Sequence, residues 1–181
     1  MGEEIKKQEV RLEDFYSKML STIGKITDDE IASTLKESHK TLSVAESVTG
    51  GMVCGRLTNI AGSSEYFMGG LVCYHNRIKV TELGIAGSLI AKEGPASKSV
   101  ALAMADNIRK RFKTDIGLAT TGCAGPSPLP PAPVGQVFLA IATPSGNEAK
   151  ELFLQGTRAE IREKATQAAL GLLWIHLGGE I

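Results

Sequence analysis

The chain has 181 residues, 43% of them hydrophobic, and its twenty basic residues balance twenty acidic ones. A chain of that length forms one domain that buries about 70% of the surface its unfolded form exposes, and a zero net charge gives no field to recruit a polyanion or an anionic membrane, so no nucleic-acid or membrane partner is expected. The charged N-terminal stretch MGEEIKKQEVRLEDF is not built as a signal peptide, and no apolar run approaches the roughly 18 residues that a membrane span needs. A cytoplasmic protein is therefore the expectation.

Residues 1–24 form an N-terminal arm, with Val10, Phe15, Met19 and Ile23 at helical spacing. Either an amphipathic helix or a disordered arm fits it. The remaining residues, 25–181, read as one domain. Thr27 and Glu30 make a T-x-x-E capping box that starts a helix running to about Ser38. Thr41 to Glu46 alternates like a strand and runs into the pair Gly50-Gly51 across a short turn. A helical pattern resumes at residues 52–59, and FMGGLVCY (67–74) returns to strand, its glycines marking a bulge or a close backbone approach. Val100, Ala103, Met104, Ile108 and Phe112 describe one face of a helix from Ser97 to Phe112, and a buried strand follows from Ile116 to Thr121.

GCAGPSPLPPAPVG holds five prolines and three glycines in fourteen residues, so it is an irregular loop. Val137 to Thr143 and Glu148 to Leu154 form two strands joined through Pro-Ser-Gly as a hairpin. Thr157 and Glu160 cap a last helix whose inner face is Ile161, Ala165, Ala168, Leu172 and Ile175. Strands alternating with helices, closed by a late hairpin, give an α/β fold: a three-layer α/β/α sandwich over a mostly parallel mixed sheet with one antiparallel strand. Cys54, Cys73 and Cys123, odd in number and widely spaced, read as reduced packing residues.

In such sheets ligands bind beyond the carboxyl ends of the strands, and three of those ends carry unusual residues. In Ala45 to Gly51 a serine and a threonine precede two glycines at a helix start, where backbone N–H groups can hold a phosphate or a developing oxyanion; an ordinary cap by Ser47 or Thr49 is the competing reading. Lys79 follows the second strand. Its chain is long enough to swing back to Ser47 as a base, although an exposed lysine near a helix start is the default for such a position. His75 and His176 are alternative bases, but neither has an acid to orient it. Gly122 to Gly125 can supply backbone donors or form only a rigid connection between strands, and Arg158 opposes the dipole at the start of the last helix, which suggests an anionic ligand, with a surface arginine as the default. No His/Asp/Glu cluster has metal-ligand spacing, so no metal and no cofactor is expected.

Four motifs, TLSVAESVTGG, LTNIAGSSEYFMGGLVCYHNRIKVTELGI, TDIGLATTGCAGP and PVGQVFLAIATP, resemble in order and spacing the C-terminal domain of the CinA family. Its stand-alone members are nicotinamide mononucleotide deamidases, and the similarity runs from about Ile31 to Leu177. The resemblance implies hydrolysis of the carboxamide of nicotinamide mononucleotide, a small nucleotide substrate, a three-layer α/β/α fold, association into homo-oligomers, and the form without the family's separate nucleotide-related domain. Ser47 falls on the family's nucleophile and Lys79 on its catalytic lysine. Thr49, Gly50, Gly51, Tyr74, Asn76, Thr121, Gly122, Gly125 and Arg158 fall on motif positions implied to bind substrate, with the oxyanion donors near Thr49 to Gly51.

Two departures stand out. Val48 replaces the usual cysteine, a small apolar exchange that leaves the chemistry untouched. The loop that is usually glycine-rich and polar, ending Glu-Lys-Pro, is here Ser127 to Pro133, one serine with prolines, leucine and alanine and no charge. The alternative reading that this loop favours is a catalytically silent nucleotide-binding module; retention of both Ser47 and Lys79 favours the enzyme.

Overall fold

The computed structural model describes residues 27–179; the N-terminal arm lies outside them. In chain order the elements are α1 (Asp28–Glu37), β1 (Leu42–Glu46), α2 (Met52–Thr58), a single 3₁₀ turn (Ser63–Glu65), β2 (Phe67–Val72), α3 (Asn76–Thr81), α4 (Gly87–Glu93), α5 (Lys98–Phe112), β3 (Ile116–Gly122), β4 (Gln136–Thr143), β5 (Gly146–Phe153) and α6 (Arg158–His176).

The five strands form one sheet in the order β2-β1-β3-β4-β5. β2, β1 and β3 are parallel, β4 pairs antiparallel with β3, and β5 pairs antiparallel with β4. β4 is thus the one strand that runs against the rest. Alternation along the strands separates two cores. Val44, Leu118, Leu139 and Ile141 pack with α1, α2 and α6 on one face, whereas Ala45, Ala119, Ala140 and Ala142 meet Met104 and Ile108 of α5 on the other. The second face is lined with small residues because α5 lies close: a Cβ on Gly117 would stand 2.1 Å from the Ala105 carbonyl oxygen. The layers are therefore helix, sheet and helix, as the strand–helix alternation of the sequence implies.

Both T-x-x-E boxes form. Thr27 and Thr157 each accept from the N–H three residues on, and Glu30 and Glu160 reach back to the cap residue's own N–H. The glycines of β2 mark both features expected of them. The β1–β2 register shifts between Leu42 and Ser43, and a Cβ on Gly70 would fall 2.4 Å from the Cys54 sulfur. All three cysteines are free thiols. No helix among the described residues is long and apolar enough to cross a membrane.

Chain direction brings the site together. β1, β2 and β3 end at one edge of the sheet, β4 starts there, and β5 returns to it to feed the first turn of α6.

Candidate active site

Ser47 is the first residue past β1 and is 7% exposed; Lys79, in α3, is 1% exposed. The lysine departs from the exposed default. α3 brings the side chain inward, so that Nζ lies 3.0 Å from Ser47 Oγ and donates to the Cys73 carbonyl oxygen at 3.0 Å. No carboxylate pairs with it among the described residues. An ammonium buried without a counter-charge is destabilised relative to the neutral amine, and burial holds Lys79 down to about 8.

The turn after Ser47 differs from expectation. Neither Ser47 nor Thr49 caps α2: the N-cap is Gly51, which has no side chain to offer. The cap is Glu46, wholly buried. Its carboxylate accepts from the N–H groups of Gly51 (2.8 Å), Val53 (3.2 Å) and Cys54 (2.8 Å) and from the Thr49 hydroxyl (2.6 Å). A negative charge there also suits the positive end of the helix dipole. Gly50 N–H is engaged as well, closing the turn on the Ser47 carbonyl at 3.2 Å. Thr49, Gly50 and Gly51 therefore build the turn without lining the cavity, and the N–H groups of Gly50 and Gly51 are not available to an oxyanion. Among the described residues the Val48 N–H has no acceptor, and Val48 does line the cavity.

That cavity, about 390 Å³, falls in the range of small-molecule sites, about 300–1,000 Å³. Ser47 and Lys79, both buried, line it together with Tyr74, His75, Asn76, Thr121 to Gly125 and Arg158. Thr121 donates to the Pro95 carbonyl at 2.9 Å. His75 caps α3 through Nδ1, which accepts from Arg77 N–H at 3.1 Å, and His176 ends α6 away from the cavity. Arg158 bonds the Gly125 carbonyl at 2.6 Å and the Tyr74 hydroxyl. Two of its five N–H groups are thus used in aiming it. Pro128 and Leu129 of the proline-rich loop also line the cavity. The lining contains no carboxylate, so the cavity suits a neutral or anionic ligand. No cluster of three or more potential metal-ligating His, Cys, Asp or Glu side chains exists among the described residues.

The sequence reading missed Glu46 and Arg162. Arg162, one turn beyond Arg158 on α6, donates from Nε to the Val48 carbonyl (3.2 Å) and from Nη2 to the Thr49 carbonyl (2.9 Å). The signal for Glu46 was a helix starting at two glycines with no side-chain cap of its own.

Fold and site together define a three-layer α/β/α protein with a buried serine–lysine pair at the strand ends. Residues 25–177 match the family described as CinA C-terminal domain, and the chain belongs to that family. It is 42% identical over 149 residues to a CinA-like protein of Frankia casuarinae, covering 82% of this chain and 34% of that one. It is 45% identical over 154 residues to a CinA-like protein of Gemmatimonas aurantiaca, covering 83% and 36%. The chain thus spans about a third of the length of each of these relatives. Among solved structures it is similar to the competence/damage inducible protein CihA of Agrobacterium tumefaciens, with a TM-score of 0.79 at 32% identity over 88% of this chain and 96% of that one.

Proposed function

We propose that the chain is a serine amidohydrolase that converts nicotinamide mononucleotide and water to nicotinate mononucleotide and ammonia. The observation that carries this reading is the Ser47–Lys79 pair, 3.0 Å apart and buried, with the lysine held near 8. A neutral amine keeps a lone pair for the serine proton while an N–H still holds the Cys73 carbonyl.

In the proposed sequence Lys79 takes the Ser47 proton and Oγ bonds to the carboxamide carbon. Negative charge then moves to the amide oxygen, where the Val48 N–H stabilises it. The Lys79 ammonium returns the proton to the amide nitrogen, the carbon–nitrogen bond breaks and ammonia leaves an acyl ester on Ser47. Water, deprotonated by Lys79, attacks that ester; the alkoxide regains the proton and nicotinate mononucleotide departs. Arg158 in the cavity lining pairs with the substrate phosphate, and the carboxylate-free lining avoids repelling it.

The test is to incubate the purified full chain with nicotinamide mononucleotide and measure both products. Equal amounts of ammonia and nicotinate mononucleotide are expected. Release of nicotinamide would mean glycosidic cleavage and overturn the reading. Saturable binding with neither product would leave a nucleotide-binding module in its place.

A further inference from the structure

The nucleophile turn is bracketed by opposite charges. Beneath it the Glu46 carboxylate gathers N–H groups of α2 and the Thr49 hydroxyl; from outside, the Arg162 guanidinium gathers the carbonyls of Val48 and Thr49. Because a peptide unit is planar, fixing its carbonyl also fixes its N–H. The Ser47–Val48 unit is fixed by Gly50 N–H on the Ser47 carbonyl, and the next two units are fixed by Arg162. Gly50 itself, at φ +62°, leaves room for the guanidinium: a Cβ there would stand 3.0 Å from Arg162 Nη2. The Thr49 N–H has no acceptor among the described residues either, but Thr49 is wholly buried, which leaves Val48 as the residue of this turn that offers a donor to the cavity; Ala124 and Gly125 N–H, also without an acceptor among the described residues, belong to the loop after β3.

We infer that Arg162 is a positioning residue for the proposed hydrolysis: holding the Thr49 carbonyl fixes the Gly50 N–H, which in turn holds the Ser47 carbonyl and so keeps the Val48 N–H and Ser47 Oγ preorganised around the developing oxyanion, without Arg162 touching the substrate. This rests on the amidohydrolase reading above. A lysine at 162 could bond one carbonyl but not clamp two, because its charge is a point and not a planar fork. Its effect belongs to the transition state, since the amide oxygen carries its full charge only there.

The experiment compares Arg162→Gln and Arg162→Lys with the wild type, rates being normalised to the folded fraction from circular dichroism. Arg162→Gln is expected to lower kcat roughly 10- to 100-fold, somewhat less than outright loss of an oxyanion donor, with KM within about threefold; Arg162→Lys should fall between it and wild type. A second measurement is independent of how much protein is folded. The aldehyde analogue of the substrate adds to Ser47 and forms the tetrahedral oxyanion, so its affinity should fall with kcat while that of nicotinate mononucleotide holds. A folded Arg162→Gln with wild-type kcat, or equal losses of affinity for aldehyde and product, would overturn the inference while leaving the amidohydrolase reading intact. A wild type without turnover would overturn both.

Discussion

Lys79→Met should make the protein more stable near neutral pH and abolish the pH dependence that the lysine imposes. A fall from 10.5 to about 8 corresponds to about 3 kcal/mol, at 1.36 kcal/mol per pH unit. Below pH 8 folded and unfolded chains both hold the proton, so the folded state carries the whole cost of a buried unpaired ammonium. Between pH 8 and 10.5 the unfolded chain binds more protons than the folded one, and wild-type stability rises. The stabilising contribution is thus fully present above 10.5 and lost as pH falls through 8. Methionine keeps the bulk without the charge, but it leaves the Cys73 carbonyl, now bonded to Nζ at 3.0 Å, without that partner, at about 1–3 kcal/mol. The net gain at pH 7 is therefore about 0–2 kcal/mol. The assay is urea unfolding of both proteins at several pH values from 7 to 10.5. The variant's advantage should shrink by about 3 kcal/mol across that window, because other titrating groups cancel in the difference. Parallel stability curves would refute the idea that burial neutralises Lys79.

The same ionisation should appear in kcat/KM for nicotinamide mononucleotide, which should climb with pH through a single step near 8 and then level, because the neutral amine is the active form; a flat profile from pH 6 to 9 would count against Lys79 as base. Arg158→Ala should raise KM at least tenfold with a smaller change in kcat, since a clamp on phosphate acts in ground and transition states alike; steady-state kinetics showing an unchanged KM would remove it from the site. Glu46→Gln should cost about 2–4 kcal/mol in urea unfolding, because an amide nitrogen must then face N–H donors that now meet a charged acceptor; a loss below about 0.5 kcal/mol would mean that the carboxylate does not hold the turn.

Local rules carried most of the fold. The capping boxes at Thr27 and Thr157, the periodicity of α5 and the apolar runs of β3 and β4 all depend on neighbours within a few residues, and each element formed within two residues of where the pattern placed it. β2 ends at Val72 and not Tyr74, and β5 begins at Gly146 and not Glu148, because strand ends are set by the partner strand. α3 and α4, six and seven residues long, are too short for helical periodicity to show. In the site, motif position pointed to Ser47, Tyr74, Asn76, Lys79, Thr121, Gly122, Gly125 and Arg158, which meet at one cavity. The burial of Lys79 was not legible from composition or spacing, since it depends on the fold bringing α3 against Ser47 and Cys73. Arg162, and Glu46 as the capping partner of α2, were hidden for a related reason. The carboxylate caps a helix that starts six residues later, beyond any local capping spacing, and the guanidinium reaches the turn from 114 residues away along the chain.

The central claim is that Ser47 and Lys79 act as one catalytic unit on a carboxamide, and a kinetic cycle with Ser47→Ala, Lys79→Met and the double variant tests it most directly. Each single variant, folded by circular dichroism, is expected to release ammonia from nicotinamide mononucleotide at near-background rate. The double variant should be hardly slower than either, because removing one member of a coupled pair already removes the function of both. Well-folded Ser47→Ala that retains substantial ammonia release, or losses that multiply in the double variant, would contradict it.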